Sequence, residues 1–291
     1  MMLDREVTFV ELRPLLFSLA YRMLGVRADA EDAVQEAYLR WQEANEEEIR
    51  SPRAYLTTVV ARLSLDALKS AHRKREVYVG PWLPEPIVEP IGAMSGSYEM
   101  AQTLSIAFLH LLESLSPPER AAFLLREVFE MPYGEIAAIL ESTEANCRQL
   151  VTRARKSIRD QRRRFVIDRK HHRQVLENFL AACVSGDPSQ LMTMLRQDAV
   201  LYSDGGGKVR SALNPIYGAD HIARFFAGIV KQGHTAGHYA KFAEVNGEIG
   251  ALIYEGNRIV SVVTLQLDEF DQVQNIFFVS NPEKLPEGFI M

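Results

Sequence analysis

The hydrophobic pattern of this chain passes from a helical period to one dominated by strands, and that change rules out any single-layer fold. Over roughly the first 165 residues apolar side chains recur at helical spacing. Leu12, Leu15, Leu16, Leu19, Ala20, Met23 and Leu24 form such a stripe, and Gly25 stops it. In "DAEDAVQEAYLRW", Asp29 with Asp32 three residues on reads as the cap of a second helix. Its apolar face is Ala30, Ala33, Val34, Ala37, Tyr38 and Trp41, and its other face shows Asp32, Gln35, Glu36 and Leu39. Ser51-Pro52 starts a third helix, expected to bury Leu56, Val59, Val60, Leu63 and Ala67.

Beyond about residue 195 the period becomes two. "AVLYSD", "KVRSAL", "HYAKFAEVN", "GALIYEG", "RIVSVVTLQLD" and "VQNIFFVSN" read as strands, interrupted by one helix, "ADHIARFFAGIV". This order predicts an α+β domain with a curved antiparallel meander. Between the early helices lies "EVYVGPWLPEPIVEPIGAMSGS", where Pro81, Pro84, Pro86 and Pro90 forbid a continuous helix. Tyr78, Trp82, Leu83 and Ile87 make this linker too apolar to stand in water, so it needs a surface to lie on.

A length of 291 residues suits two or three domains rather than one core. No apolar run reaches the roughly 18–20 residues of a membrane-spanning helix, and "MMLDREVTFVELRP" has acids where a secretory leader is basic. A cytoplasmic location is the expectation. Cys147 and Cys183 occupy apolar helical positions and read as buried structural thiols. No motif calls for a metal or other cofactor.

Charge is distributed unevenly. The chain carries a net −5, yet Arg148 to Arg173 holds 11 Lys/Arg against Asp160 and Asp168. Of 33 basic and 38 acidic residues, that leaves 22 against 36 elsewhere. Residues 132–155 have the spacing of a helix-turn-helix, with Ala137, Leu140, Cys147 and Val151 inside. The second helix then presents Asn146, Arg148, Gln149, Thr152, Arg153 and Arg155 outward, a set suited to base edges and phosphates in a major groove.

"DAEDAVQEAYLRW" followed by "SPRAYLTTVVARLSLDALKSAHRKR" resembles region 2 of extracytoplasmic-function (ECF) sigma factors, the promoter-reading subunits of bacterial RNA polymerase. "SPPERAAFLLREVFEMPYGEIAAILESTEANCRQLVTRARKSI" resembles their region 4. The resemblance implies that Asp32, Gln35, Glu36 and Leu39 dock on the clamp helices of the polymerase β′ subunit. It implies that Arg53, Thr57, Thr58 and Arg62, with the loop before Ser51, engage the −10 element. Lys69, Arg73, Lys74 and Arg75 would hold phosphates there. Arg148, Gln149 and Thr152 would read the −35 element, with Arg153 on a phosphate. Region 2 is usually richer in aromatics than this one, which has only Tyr55 in that segment. Glu141 stands where the family often has a turn glycine, so that turn must avoid a positive φ or accept strain of about 1 kcal/mol.

The final 120 or so residues resemble the cone-shaped SnoaL-like α+β fold. "WLPEP" (Trp82, Pro84), "DGGGK" (Asp204, Gly205, Gly206, Gly207, Lys208) and "NPEKL" (Asn281, Pro282) are similar to signatures of SigJ-type ECF factors carrying this extension. The expected organisation is multidomain: region 2 over 1–76, a Pro-rich linker over 77–98, region 4 over 99–168, and a SnoaL-like regulatory domain over 169–291. In that reading the fused domain contacts the linker, the partners are polymerase core and promoter DNA, and no membrane or enzymatic activity is involved. The alternative is a ligand-sensing or enzymatic SnoaL-like domain fused to a helix-turn-helix regulator, with Asp204, Tyr202, Tyr217, His234 and His238 as candidate pocket groups.

Overall fold

In the computed structural model of the protein the described residues are 5–45, 49, 51–75, 77–91, 104–159, 169–233 and 237–286, without the side chains of 72–74 and 159. The chain forms two units: Met1–Val77 with Leu111–Arg162, and Tyr78–His110 with Arg163–Met291.

The first unit is helical. Helix α1 (Arg5–Leu24) ends where Gly25 takes φ 70°, a conformation costly for any residue with a Cβ. Helix α2 (Arg27–Glu43) begins two residues before the expected cap. Val26 holds the N-cap without a side-chain bond, and Asp29 lies in the first turn, where its charge suits the helix dipole. Helix α3 (Pro52–Arg75) starts as expected, the Ala54 N–H donating to the Ser51 hydroxyl at 3.3 Å. Its buried face is wider than the predicted stripe. Leu56, Thr57, Val60, Ala61, Ser64, Leu65 and Leu68 are buried while Ala67 is exposed. The reason is that α3 packs not only on α1 and α2 but also on two later helices, α5 (Pro117–Glu127) and α6 (Tyr133–Ile139). Between α3 and these comes α4 (Ile106–Leu112), within which the division of the units falls. Helix α7 (Glu144–Arg159) completes the helix-turn-helix with α6.

The second unit contains helices α8 (Arg169–Ser185), α9 (Pro188–Met194) and α10 (Ala219–Lys231) over one sheet. Its strands are β1 (Val88–Glu89), β2 (Leu195–Asp204), β3 (Ile216–Tyr217), β4 (His238–Val245), β5 (Glu248–Glu255), β6 (Arg258–Leu267) and β7 (Val273–Val279). Their spatial order is β1-β4-β5-β6-β7-β2-β3. The expected meander holds for β4 to β7, but β2 pairs parallel with β7. "KVRSAL" forms no strand: the Lys208 and Val209 N–H groups both turn back to the Gly205 carbonyl, and Leu213 is exposed. Alternation without a neighbouring strand to pair with does not make a strand.

Each face of the sheet has its own core. Phe179, Ile222, Phe226, Leu201, Val263 and Ile276 pack between sheet and helices. On the other face Leu83 and Ile106 join Ala243, Leu252, Tyr254, Val262 and Phe277. Leu83, a linker residue, is fully buried there, a burial worth about 1.5–3 kcal/mol.

Candidate nucleic-acid interface and the docked linker

Helix α7 is positioned by an apolar seam. Cys147, Leu150, Val151, Ala154 and Ile158 are buried, and α5 and α6 supply the facing side chains. A capping box starts α5: the Ser116 N–H and hydroxyl both donate to Glu119 Oε2, at 3.2 and 2.7 Å. The turn between α6 and α7 does take the strained route, with Glu141 at φ 50°. Asn146, Arg148, Gln149, Thr152, Arg153 and Arg155 all lie exposed.

Sequence reasoning missed that the arginines of this face are already held. Arg148 pairs with Glu144 at 2.8 Å and lies over the Tyr133 ring, which Arg126 also approaches. Arg153 pairs with Glu119 at 2.9 Å, and Arg155 with Glu127 at 2.7 Å. Burial works against the Glu119 carboxylate, but its bonds from Ser116 and Arg153 outweigh that and hold its pKa below the usual range. Thr152 donates to the Arg148 carbonyl and Asn146 to the Ser142 hydroxyl. The run of basic residues is also divided: Arg148–Arg159 belong to α7, Arg169–Arg173 to α8 in the other unit, and 160–168 lie outside the described residues.

On α2, Asp32, Gln35 and Leu39 are exposed and Glu36 partly so, all on the face opposite Ala33, Ala37 and Trp41. Glu36 is paired with Arg40 at 2.9 Å. On α3, Arg53 and Arg62 are exposed, Thr58 is half-buried and Thr57 is buried. Arg53 and Thr57 line a cleft of about 220 Å³ with Met131 and Glu135, and Arg62 donates to the Ala138 carbonyl of α6 at 2.8 Å. Lys69 pairs with Asp66 at 3.1 Å. The side chains of Arg73 and Lys74, and residues 46–48 and 50 of the loop before Ser51, lie outside the described residues.

Arg75 turns inward rather than toward solvent. It donates to the Leu24 carbonyl and to Glu113, whose other oxygen takes Arg120. Arg120 also donates twice to the Arg22 carbonyl, at 3.1 and 2.9 Å. Burial raises the Glu113 pKa, but Arg120 and Arg75 outweigh it and hold the carboxyl ionised. Burial lowers the Arg22 pKa to about 10. This cluster joins α1 and α3 to the segment leading into α5.

In the second unit the linker lies on the sheet, gripped by one carboxylate. Asp204, fully buried at the end of β2, accepts from the Tyr78 hydroxyl (2.7 Å) and Gly206 N–H (3.1 Å) on Oδ1. Its Oδ2 accepts from the Leu83 N–H (2.9 Å) and from Lys284 Nζ (2.7 Å). Lys284 also donates to the Leu83 carbonyl at 2.6 Å and stands 4.2 Å from the Trp82 ring centre. Asn281 donates to the Tyr78 hydroxyl at 2.8 Å. Burial, then the bond to Asp204, raises the Tyr78 pKa.

The glycines are needed for this approach. Gly206 takes φ 61°, and a Cβ there would meet Asn281 Nδ2 at 2.4 Å. Gly205 is blocked by Ser211, and Gly207 faces Val79. Lys208 pairs with Glu283, Pro84 is buried, and Pro282 is exposed. Further along, Ile87 exchanges two hydrogen bonds with Asn246, at 2.9 and 2.8 Å, and β1 adds to the edge of β4.

Of the alternative pocket groups, Asp204 is occupied by the linker, Tyr202 stacks on Phe277 and lies tilted against His110, Tyr217 is exposed, and His238 faces Glu255 at 3.9 Å. His234 lies outside the described residues.

Sigma-70 region 2 matches residues 8–74, and Sigma-70, region 4, matches residues 105–158. The ECF RNA polymerase sigma factor SigJ of Mycobacterium tuberculosis is 41% identical over 248 residues, 84% of this chain and 79% of that protein. The probable ECF factor SigI of the same organism is 36% identical over 189 residues, 63% of this chain and 64% of that one. The crystal structure of M. tuberculosis SigJ aligns with a TM-score of 0.76 at 35% identity, over 96% of this chain and 97% of that one. With both sigma regions in order and this identity across most of its length, the chain belongs to the extracytoplasmic-function RNA polymerase sigma factors, and among them to the SigJ type.

Proposed function

We propose that this sigma factor docks on the β′ clamp of bacterial core polymerase through Asp32, Gln35, Glu36 and Leu39. In this reading it engages the −10 element with Arg53, Thr58, Arg62 and Lys69, and the −35 element with Arg148, Gln149, Thr152, Arg153 and Arg155. Arg75 then serves the interior cluster with Glu113 instead of a phosphate. Promoter engagement requires Arg62 to release the Ala138 carbonyl. The chain performs no catalysis of its own, and its SnoaL-like domain sets activity by holding the linker between the two DNA-reading modules.

The observation carrying the regulatory part is the Asp204–Lys284 grip on Leu83. Run-off transcription with purified core enzyme tests it. Trp82→Ala and Asn281→Ala loosen the linker without emptying the grip, and are expected to change transcript yield about tenfold for each ~1.4 kcal/mol of docking lost. Unchanged yield and start site from both variants would remove the regulatory reading. In the same assay Arg148→Ala is expected to weaken −35 recognition by about 1–3 kcal/mol and relax selectivity there. Full selectivity in that variant would overturn the base-reading assignment.

A further inference from the structure

Both carboxylates of α5, the half-buried Glu119 and the exposed Glu127, pair with arginines of the DNA-reading helix. Glu119, in the first turn, meets Arg153, and Glu127, in the last turn, meets Arg155. The two positions differ in what they do for folding. Glu119 is part of the α5 capping box. Glu127 sits at a helix C-terminus, where the dipole disfavours a negative charge. Its pair with Arg155 is more than half exposed on the arginine side, a setting in which ion pairs add little to stability. Folding therefore gives little reason for an acid at residue 127.

Its effect on the arginine is direct. Carboxylate and phosphate oxygens both accept charge-assisted hydrogen bonds from a guanidinium. An arginine whose charge and one N–H are engaged by a carboxylate is less available to a phosphate. We propose that Glu119 and Glu127 are internal competitors for phosphate: they occupy Arg153 and Arg155 until DNA displaces them, and so set the chain's affinity for duplex away from polymerase. The inference rests on α7 being the DNA-reading helix. The bond and charge of Glu127 also raise the Arg155 pKa, consistent with a guanidinium engaged as a full cation.

The test uses the full-length chain and a labelled mixed-sequence duplex, with binding followed by anisotropy at several KCl concentrations. Glu127→Gln is expected to tighten binding about three- to tenfold at low salt and to steepen the salt slope by about one, the equivalent of one more phosphate contact. The gain should vanish in an Arg155→Ala background. Glu177→Gln removes the same charge from an α8 surface pair with Arg173 and should leave affinity unchanged. If Arg155→Ala weakens binding but Glu127→Gln does not tighten it, the competitor role is overturned while the reading of α7 stands. If Arg155→Ala has no effect, the reading of α7 itself is overturned. An equal gain from Glu177→Gln would reduce the effect to net charge and overturn the proposal.

Discussion

Replacing Asp204 with alanine is expected to cost about 3–5 kcal/mol of stability in the linker-bearing unit, because it removes one partner of a buried ion pair. The carboxylate has no solvent exposure and serves four donors: the Tyr78 hydroxyl, the Leu83 and Gly206 N–H groups, and the Lys284 ammonium. Lys284 is itself buried, so loss of Asp204 takes the paired carboxylate from a buried cation that also meets the Leu83 carbonyl and the Tyr78 and Trp82 rings. Asp204→Asn keeps the shape and loses the charge, and should cost less, about 1.5–3 kcal/mol. Urea denaturation of the full chain measures both. In a Trp41→Phe background, emission from Trp82 reports on the linker alone. A fall of less than about 1 kcal/mol in Asp204→Ala, with Trp82 emission unshifted, would mean the linker is held by apolar burial rather than by this carboxylate.

A comparable loss is expected for Glu113→Gln in the helical unit. The carboxylate accepts from both Arg75 and Arg120, and Arg120 is almost wholly buried. Neutralising it removes the shared anion of two inward guanidiniums, a change of about 3–5 kcal/mol. The same residue predicts a pH dependence. Because the arginines depress its pKa in the folded state, its contribution is complete above the unfolded value of about 4.3 and is lost as pH falls through the lower folded value. Stability of the wild-type chain should therefore drop more steeply than that of Glu113→Gln between roughly pH 4.5 and pH 3. Parallel pH profiles for the two proteins would show that Glu113 is not the group responsible.

The two clusters bear on function in different ways. Glu113, inside the region 4 match, is tied to Arg75 at the end of α3, and the proposed −10 residue Arg62 is engaged with α6 in the same unit. Asp204 ties the linker between those regions to the SnoaL-like sheet. The Glu113 cluster and the Asp204 grip each restrain the chain within its own unit.

Local chemistry in the sequence determined a great deal of this. Ser51-Pro52 and Ser116-Pro117 with Glu119 start helices where they stand, because caps and proline act on their immediate neighbours. Gly25 ends a helix for the same reason. Alternation identifies β4 to β7, since each strand has its partner one turn away. The apolar linker announced its need for a surface through composition alone. Tertiary structure decided the rest. Leu83 meets Asp204 across 121 residues and Lys284 across 201, and β2 finds β7 in parallel. Thr57 is buried and Arg75 turns inward because later helices cover a face that periodicity along α3 leaves open. Glu119 and Glu127 hold Arg153 and Arg155 of α7 although nothing in the spacing of α5 assigns them a partner. Periodicity reports which face of an element is apolar; only the packed chain decides which charges on different elements face each other, because those pairs form between segments whose separation in sequence carries no local signal.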